Sequence, residues 1–178
     1  LIRRAIRREA SRRPSLADML ETLDGFWIGP GNIEAVSGWA AARDEAEARD
    51  GITLRGIVTG IRHFGPEKAR ETALCAAETA GRFIRGFGMG GDETALRARD
   101  FRGIYRRARE HGLGTTCHAG EGTTPDAVLE AVEELEVTRI GHGIAAAQDP
   151  ALMRQLAEAG IVPEVCPTSN RRTGAWDV

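Results

Sequence analysis

Thr116-Cys117-His118-Ala119-Gly120-Glu121 is the stretch on which the reading of this chain turns. The apolar run from Leu113 to Cys117 has strand length, and it ends in His118 before Ala119 and Gly120 carry the chain round to Glu121. A histidine leaving the end of a buried strand offers a neutral imidazole to a metal. A carboxylate three residues later, beyond a glycine that permits a tight bend, reaches back over the same place as a proton donor. Such a pair is more commonly used for mutual hydrogen bonding, so the functional reading depends on what the neighbouring segments bring.

Four further apolar runs of strand length flank it: Ile52 to Ile61, Phe83 to Met89, Val137 to Ile140 and Ile161 to Val165. Helical patterns lie between them. Pro66 opens one that Gly81 ends, and Phe101, Ile104, Tyr105 and Ala108 mark one face of the next, closed by Gly112. Thr124-Pro125 precedes the helix of Val128, Leu129, Val132 and Leu135, and Asp149-Pro150 precedes that of Leu152, Met153, Leu156 and Ala157, which Gly160 ends. Helices returning across a sheet deliver every strand in the same direction, so the strands are parallel.

Open doubly wound sheets and eight-stranded barrels both satisfy this alternation, and the polar residues discriminate. Four successive strands end in Gly90-Gly91-Asp92-Glu93, His118-Ala119-Gly120-Glu121, Gly141-His142-Gly143 and Cys166-Pro167-Thr168-Ser169-Asn170. A doubly wound sheet gathers its ligands at one switch point, whereas a barrel spreads chemistry along its C-terminal rim. The expected fold is α/β, an incomplete (β/α)8 TIM barrel of about five parallel strands with alternating helices. A whole barrel takes ~250 residues, more than the 178 of this chain. Pro163 in the last strand is tolerable near that strand's start.

Upstream, residues 1–50 read as an N-terminal helical segment and 51–178 as the partial barrel domain. Arg3, Arg4, Arg7, Arg8, Arg12 and Arg13 make residues 1–13 a basic arm; with no aromatic residue interleaved for base stacking, it reads as a solvated helix face. A helix from Leu16 to Leu23, an apolar plug of Phe26, Trp27 and Ile28, and a helix over 33–49 follow. The chain opens on Leu1 and stops at Val178 with no closing element, which leads us to expect a piece of something longer.

Hydrophobic residues make up 42% of the chain and charged residues 28%, with a net charge of −2. That balance gives no basic field for nucleic acid, and no apolar run approaches the ~20 residues of a membrane span. A cytoplasmic protein acting on a small molecule is the simplest expectation. Cys75, Cys117 and Cys166 include no Cys-x-x-Cys pair, so neither a disulfide framework nor a cysteine zinc site is suggested. Arg62, His63, Asp92 and Glu93 read as hydrogen-bonding groups near the rim, and His111 as a helix cap. Ser169 lacks the Gly-x-Ser-x-Gly elbow of a nucleophile, and Gly86 to Gly91 only superficially suggests a dinucleotide loop, since the acidic pair Asp92-Glu93 follows where phosphate would sit.

His118, Glu121 and His142 together supply two imidazoles and a carboxylate from neighbouring strands. At this point the chain resembles the adenosine deaminase family of the amidohydrolase superfamily. The resemblance rests on His118-Ala119-Gly120-Glu121, Arg139-Ile140-Gly141-His142-Gly143 and Cys166-Pro167-Thr168-Ser169-Asn170, preceded by Gly91-Asp92-Glu93, with Arg62-His63 and Thr173-Gly174-Ala175-Trp176 also similar. It implies a Zn²⁺-dependent hydrolysis of the 6-amino group of a purine nucleoside, adenosine giving inosine and ammonia. By motif position His118 would be a zinc ligand, Glu121 the acid for N1 of the purine, and His142 the group that orients or deprotonates the metal-bound water. Gly91 would offer its N–H to the purine ring. For Glu121 to hold a proton near neutral pH, its surroundings should be buried.

The family's His-x-His pair on the first strand and its adjacent aspartates on the last have no counterpart in this sequence. One expected zinc ligand of the four remains. The expectation is therefore that this polypeptide alone binds zinc poorly and turns over little. Two alternatives stand beside adenosine: the same chemistry on 6-aminofutalosine or adenine, and a catalytically inactive truncated barrel.

Overall fold

The computed structural model describes residues 33–175. The basic arm, the helix from Leu16 to Leu23, the plug at Phe26 to Ile28 and Trp176 lie outside the described residues. Helix α1 (Ile33–Asp50) leads into β1 (Gly56–Ile61), α2 (Gly65–Glu78), β2 (Ile84–Gly90), α3 (Arg102–Glu110) and β3 (Gly114–Ala119). Then come α4 (Pro125–Leu135), β4 (Arg139–His142), α5 (Pro150–Glu158), β5 (Val162–Glu164) and α6 (Pro167–Thr173). Short 3-10 turns at Arg62–Phe64, Ala98–Phe101 and Ile144–Gln148 join several of them. Among the described residues no helix is long and apolar enough to cross a membrane.

All four strand pairings are parallel, and the spatial order β1-β2-β3-β4-β5 is the order of the sequence. A doubly wound sheet reverses its order at a switch point; this one never does, which is the order of a barrel. The described residues thus form five consecutive strand units of a (β/α)8 barrel.

Alternation along each strand divides the sheet into two faces. Val58, Phe87, Met89, Cys117, Ala119 and Ile140 point into a buried core, where they meet Ala69, Ala73 and Ala76 of α2, Ile104, Tyr105 and Ala108 of α3, and Val128, Ala131 and Leu135 of α4. The small residues of α2 let it lie close on β1 and β2. Phe87 and Tyr105 meet edge to face at 5.2 Å, and the buried Tyr105 hydroxyl donates to Thr116 O at 2.8 Å. The opposite face is open: Ile57 of β1 is 52% exposed, while its neighbour Val58 is 3% exposed.

Punctuation residues act largely as their chemistry dictates. Pro66, Pro125 and Pro150 lie in the first turns of α2, α4 and α5, where a missing N–H costs nothing. Asp149 accepts from Ala151 N–H at 2.8 Å and Leu152 N–H at 3.2 Å, whereas Thr124 makes no side-chain cap bond. Helix α2 ends at Glu78 with Thr79 as its cap, ahead of the Gly81 expected from sequence, and the Thr79 hydroxyl folds back onto Cys75 O at 2.6 Å. Strand β1 begins at Gly56 rather than Ile52. Leu54 N–H and the Arg55 guanidinium both bind Glu47 of α1, which draws residues 52–55 away from the sheet. Pro163 is the middle residue of β5; Val162 N–H takes the bond to Thr138 O, so the ladder loses nothing at the proline.

Candidate active site

His118 stands at the end of β3 with its ring between two glycines. A Cβ added to Gly141 would lie 2.3 Å from His118 Cδ2, and one added to Gly90 would lie 3.2 Å from Cε1, so both neighbouring strands must be bare where the imidazole passes. The His118 carbonyl accepts from the buried Arg62 guanidinium at 2.7 Å, and Arg62 also donates to Leu96 O and the Cys117 thiol. Arg62 thereby ties the end of β1 to the end of β3. Burial pushes the Cys117 thiol up to about 11, which leaves it protonated and inert beneath the site.

Glu93, beyond β2, braces the turn that carries Glu121. Its carboxylate accepts from Gly120 N–H at 2.8 Å, Glu121 N–H at 3.1 Å and the Thr123 hydroxyl at 2.6 Å. His63 Nδ1 accepts from Asp92 N–H at 3.2 Å, and Asp92 in turn accepts from the N–H and hydroxyl of Thr94. These are the rim hydrogen-bonding groups expected from sequence. His111 likewise closes α3, its Nδ1 lying 2.9 Å from Arg107 O.

His142 ends β4 with φ +61°, a left-handed backbone that residues other than glycine seldom adopt. That conformation turns its ring toward β3, where it packs edge to face on His118 at 4.8 Å. Its Nε2 lies 3.3 Å from Glu121 Oε2, and its Nδ1 lies 2.9 Å from the side-chain amide of the fully buried Asn170. The Thr173 hydroxyl lies 3.3 Å from Glu121 Oε1, with Ser169 O at 3.1 Å and Asn170 O at 3.3 Å competing for its one hydrogen. Glu121 keeps 23% of its side-chain surface, so it borders solvent rather than being sealed in.

His118, Glu121 and His142 therefore converge as expected, each offering one ligand atom within 4.8 Å of the others. Gly91 lies one residue past the Gly90 that flanks His118, with φ +94°, and a Cβ there would fall 2.9 Å from His63 Nδ1. Sequence reasoning missed the roles of Asn170 and Thr173. The sequence marks Cys166 to Asn170 only as a polar cluster at a strand end, whereas Pro167–Thr173 is a helix that brings both side chains to the pair. Their spacing of three residues was the available signal, since such residues share a helix face.

Burial chiefly, and then the neighbouring His142, hold the His118 imidazole below its ordinary range, outweighing the carboxylates of Glu121, Glu93 and Glu164. Neither ring nitrogen of His118 is hydrogen-bonded among the described residues. A neutral, uncommitted imidazole fits a metal ligand. His142 Nδ1 is engaged by Asn170 and its Nε2 lies 3.3 Å from Glu121 Oε2, so that ring fits a place beside the ion rather than on it.

The sequence profile of adenosine deaminases matches residues 30–178. The chain belongs to the adenosine deaminase family. Among curated members of that family, it is 44% identical over 146 residues to the adenine deaminase of Rhizobium rhizogenes, covering 82% of this chain and 45% of that protein. It is 46% identical over 133 residues to the adenine deaminase of Chelativorans sp., covering 75% and 41% respectively. The chain thus spans less than half the length of these curated relatives. Of solved structures, the adenine deaminase from Arthrobacter aurescens superposes with a TM-score of 0.74 at 30% identity, over 81% of this chain and 44% of that one. An amidohydrolase from Burkholderia ambifaria with bound Zn gives 0.73 at 30% identity, over 78% and 38%.

Proposed function

We propose that this adenosine deaminase family protein takes part in the metal-dependent hydrolytic deamination of a 6-aminopurine, with adenine as its substrate. The observation that carries the reading is the convergence of His118, Glu121 and His142 from two adjacent strand ends, in a member of this family. Adenine is preferred to adenosine and to 6-aminofutalosine because the curated relatives quoted above are adenine deaminases.

His118 would hold the ion, for which zinc is the choice supported by the zinc-bound structural relative. A zinc ion there supplies Lewis acidity that makes water nucleophilic near neutral pH. Glu121, with one oxygen 3.3 Å from the Thr173 hydroxyl and the other toward His142, is placed to deliver a proton to the ring nitrogen beside the amino-bearing carbon. Protonating that nitrogen draws electrons from the carbon and favours attack on it. His142 orients the nucleophile, and the Gly91 N–H, with no side chain to obstruct it, meets the purine ring. A zinc site takes three or four protein ligands, and the described residues leave one imidazole uncommitted, so weak zinc binding by the isolated chain follows.

The test is zinc content together with ultraviolet absorbance of adenine, adenosine and 6-aminofutalosine incubated with the chain. Sub-stoichiometric zinc and slow adenine conversion, abolished by Glu121→Gln, are expected. Stoichiometric zinc would overturn the ligand count. Adenosine consumed faster than adenine would overturn the choice of substrate, and conversion indifferent to Glu121→Gln would remove the site itself.

A further inference from the structure

We propose that Arg62 is a positioning residue: it takes the place of a missing stretch of backbone ladder between β2 and β3, and so sets where the His118 imidazole stands relative to Gly90 and Gly91. The inference starts from a split in the sheet. Strands β1 and β2 stay paired as far as Ile61 and Gly90, and β3 and β4 are paired from Thr116 and Arg139 to Ala119 and His142. Between β2 and β3 the pairing joins Gly86 to Gly114 and Phe87 to Thr115 and, among the described residues, goes no further, although β2 runs on to Gly90 and β3 to Ala119. The sheet therefore opens just below the candidate site.

Alternate residues of a strand turn their backbone groups to opposite neighbours. Ala119 O faces the β4 side, where it accepts from Gly143 N–H at 3.1 Å, so Thr116 O and His118 O face β2. Buried backbone groups need partners, and here side chains supply them. The Tyr105 hydroxyl donates to Thr116 O at 2.8 Å, Arg62 donates to His118 O at 2.7 Å, and Glu93 accepts from Gly120 N–H at 2.8 Å. Arg62 reaches both banks of the opening from the end of β1. One terminal nitrogen meets His118 O, and the other meets Leu96 O, in the chain that follows β2, at 3.2 Å.

The arrangement is costly. Arg62 is 4% exposed, its Nε is buried without a partner, and the groups it bonds are two carbonyls and the Cys117 thiol, none of them a carboxylate. A guanidinium desolvated without an ion-pair partner is a poor source of stability, and an apolar side chain would fill the same space at less cost. What an apolar side chain cannot do is hold two carbonyls in fixed directions, which a planar fork of donors does. His118 stands on one bank and Gly90 and Gly91 on the other, and a Cβ on Gly90 would fall 3.2 Å from the His118 ring. The width of the opening thus decides how the imidazole faces the glycine proposed to meet the purine. Arg62 acts on it through the backbone of His118. Its bearing on turnover rests on the deaminase reading above, whereas the placement of the ring does not.

The experiment compares the labelled full chain with Arg62→Met, Arg62→Lys and Asp149→Ala, by NMR and by titration with zinc alone, His118 being assigned from the signals lost in His118→Gln. In the wild type the Arg62 Nη protons should give separate, slowly exchanging signals; an averaged, freely turning guanidinium overturns the proposal without any variant. In Arg62→Met the ring signals of His118 and the amide signals of Gly90 and Gly91 should shift. Zinc, followed through the His118 ring, should bind about 10–100-fold more weakly, the usual effect of losing a group that orients a ligand. Arg62→Lys keeps the charge without the fork and should behave like Arg62→Met. Unmoved His118 signals in both arginine variants overturn the proposal, and full zinc affinity in the lysine variant would assign the role to charge and overturn it too. Asp149→Ala is the control for lost stability and should leave the His118 signals and zinc affinity unchanged; an equal loss of affinity there would reduce Arg62 to a structural residue. If Arg62→Met does not fold, the lysine variant and the wild-type signals decide. In the deaminase assay, Arg62→Lys should lower kcat about 10–100-fold with KM little changed; a rise in KM alone overturns the positioning role. A wild-type chain that takes up no zinc and turns over nothing counts against the deaminase reading, while the Nη signals and the displaced ring still test Arg62.

Discussion

Two residues outside the cluster of His118, Glu121 and His142 do much to shape the site. Gly141 has no room for a methyl group, because His118 Cδ2 would lie 2.3 Å from it. Gly141→Ala should therefore push the His118 ring off its position and cost about 1–3 kcal/mol, as overpacking does; a shift of the His118 ring resonances and a lower urea midpoint would report it. Glu93 acts through three accepted hydrogen bonds on the turn from Gly120 to Thr123. Glu93→Ala leaves two backbone N–H groups and a hydroxyl without their acceptor, so the amides of Gly120 and Glu121 should lose hydrogen-exchange protection by about 1–3 kcal/mol. Protection unchanged at those two amides would show that another group holds the turn. His118, Glu121 and His142 were legible because each follows an apolar run and so marks a strand end. The Asn170–His142 contact was not, since it depends on where a short helix lands rather than on any local pattern.

Among the elements, α5 carries a side-chain cap and α4 is tied down by ion pairs. Asp149→Ala removes both cap bonds at the start of α5 and should lower stability by about 1 kcal/mol, read as a drop in Tm. Glu130 of α4 receives Arg97 and Arg99 at 2.8 Å each, across from the 3-10 turn before α3. Burial would raise its carboxyl, but the bonds from Arg99 and Arg97 outweigh it and hold it below the ordinary glutamate value. A carboxyl lowered by folding stabilises the native state at pH values above its unfolded pKa, and that contribution is lost as pH falls through the folded one. Glu130→Gln should thus lower the urea midpoint at pH 7 and flatten its decline below about pH 4.3, the ordinary glutamate value. An identical acid limb in the variant would assign that decline to other carboxylates. The strands were readable from β-branched runs bounded by Gly, Pro and Asp. Two of the departures from the reading have a clear cause: Ile52 and Leu54 look like strand but are held by Glu47, and α6 is almost wholly polar, with no apolar face to announce it.

On the scale of the molecule, the sheet is covered by helices on one face and open on the other. Ile57 is 52% exposed and Val162 43%, and among the described residues β1 and β5 each pair on one side alone. Unpaired strand edges beside exposed apolar side chains promote association, so the isolated chain should show a mass that rises with concentration in light scattering. A constant monomer mass across the accessible range would mean that the open face is satisfied within the chain. Arg62 adds a consequence for how the chain reaches this state. Its guanidinium is buried at the end of β1, yet its partners, Leu96 O, the Cys117 thiol and His118 O, all come from later in the sequence. A cation cannot be desolvated before those acceptors exist, so the first strand stays unlocked until the third has docked. The opening three strands should accordingly fold and melt as one cooperative block, and β5 with α6, which that bolt does not reach, should open first.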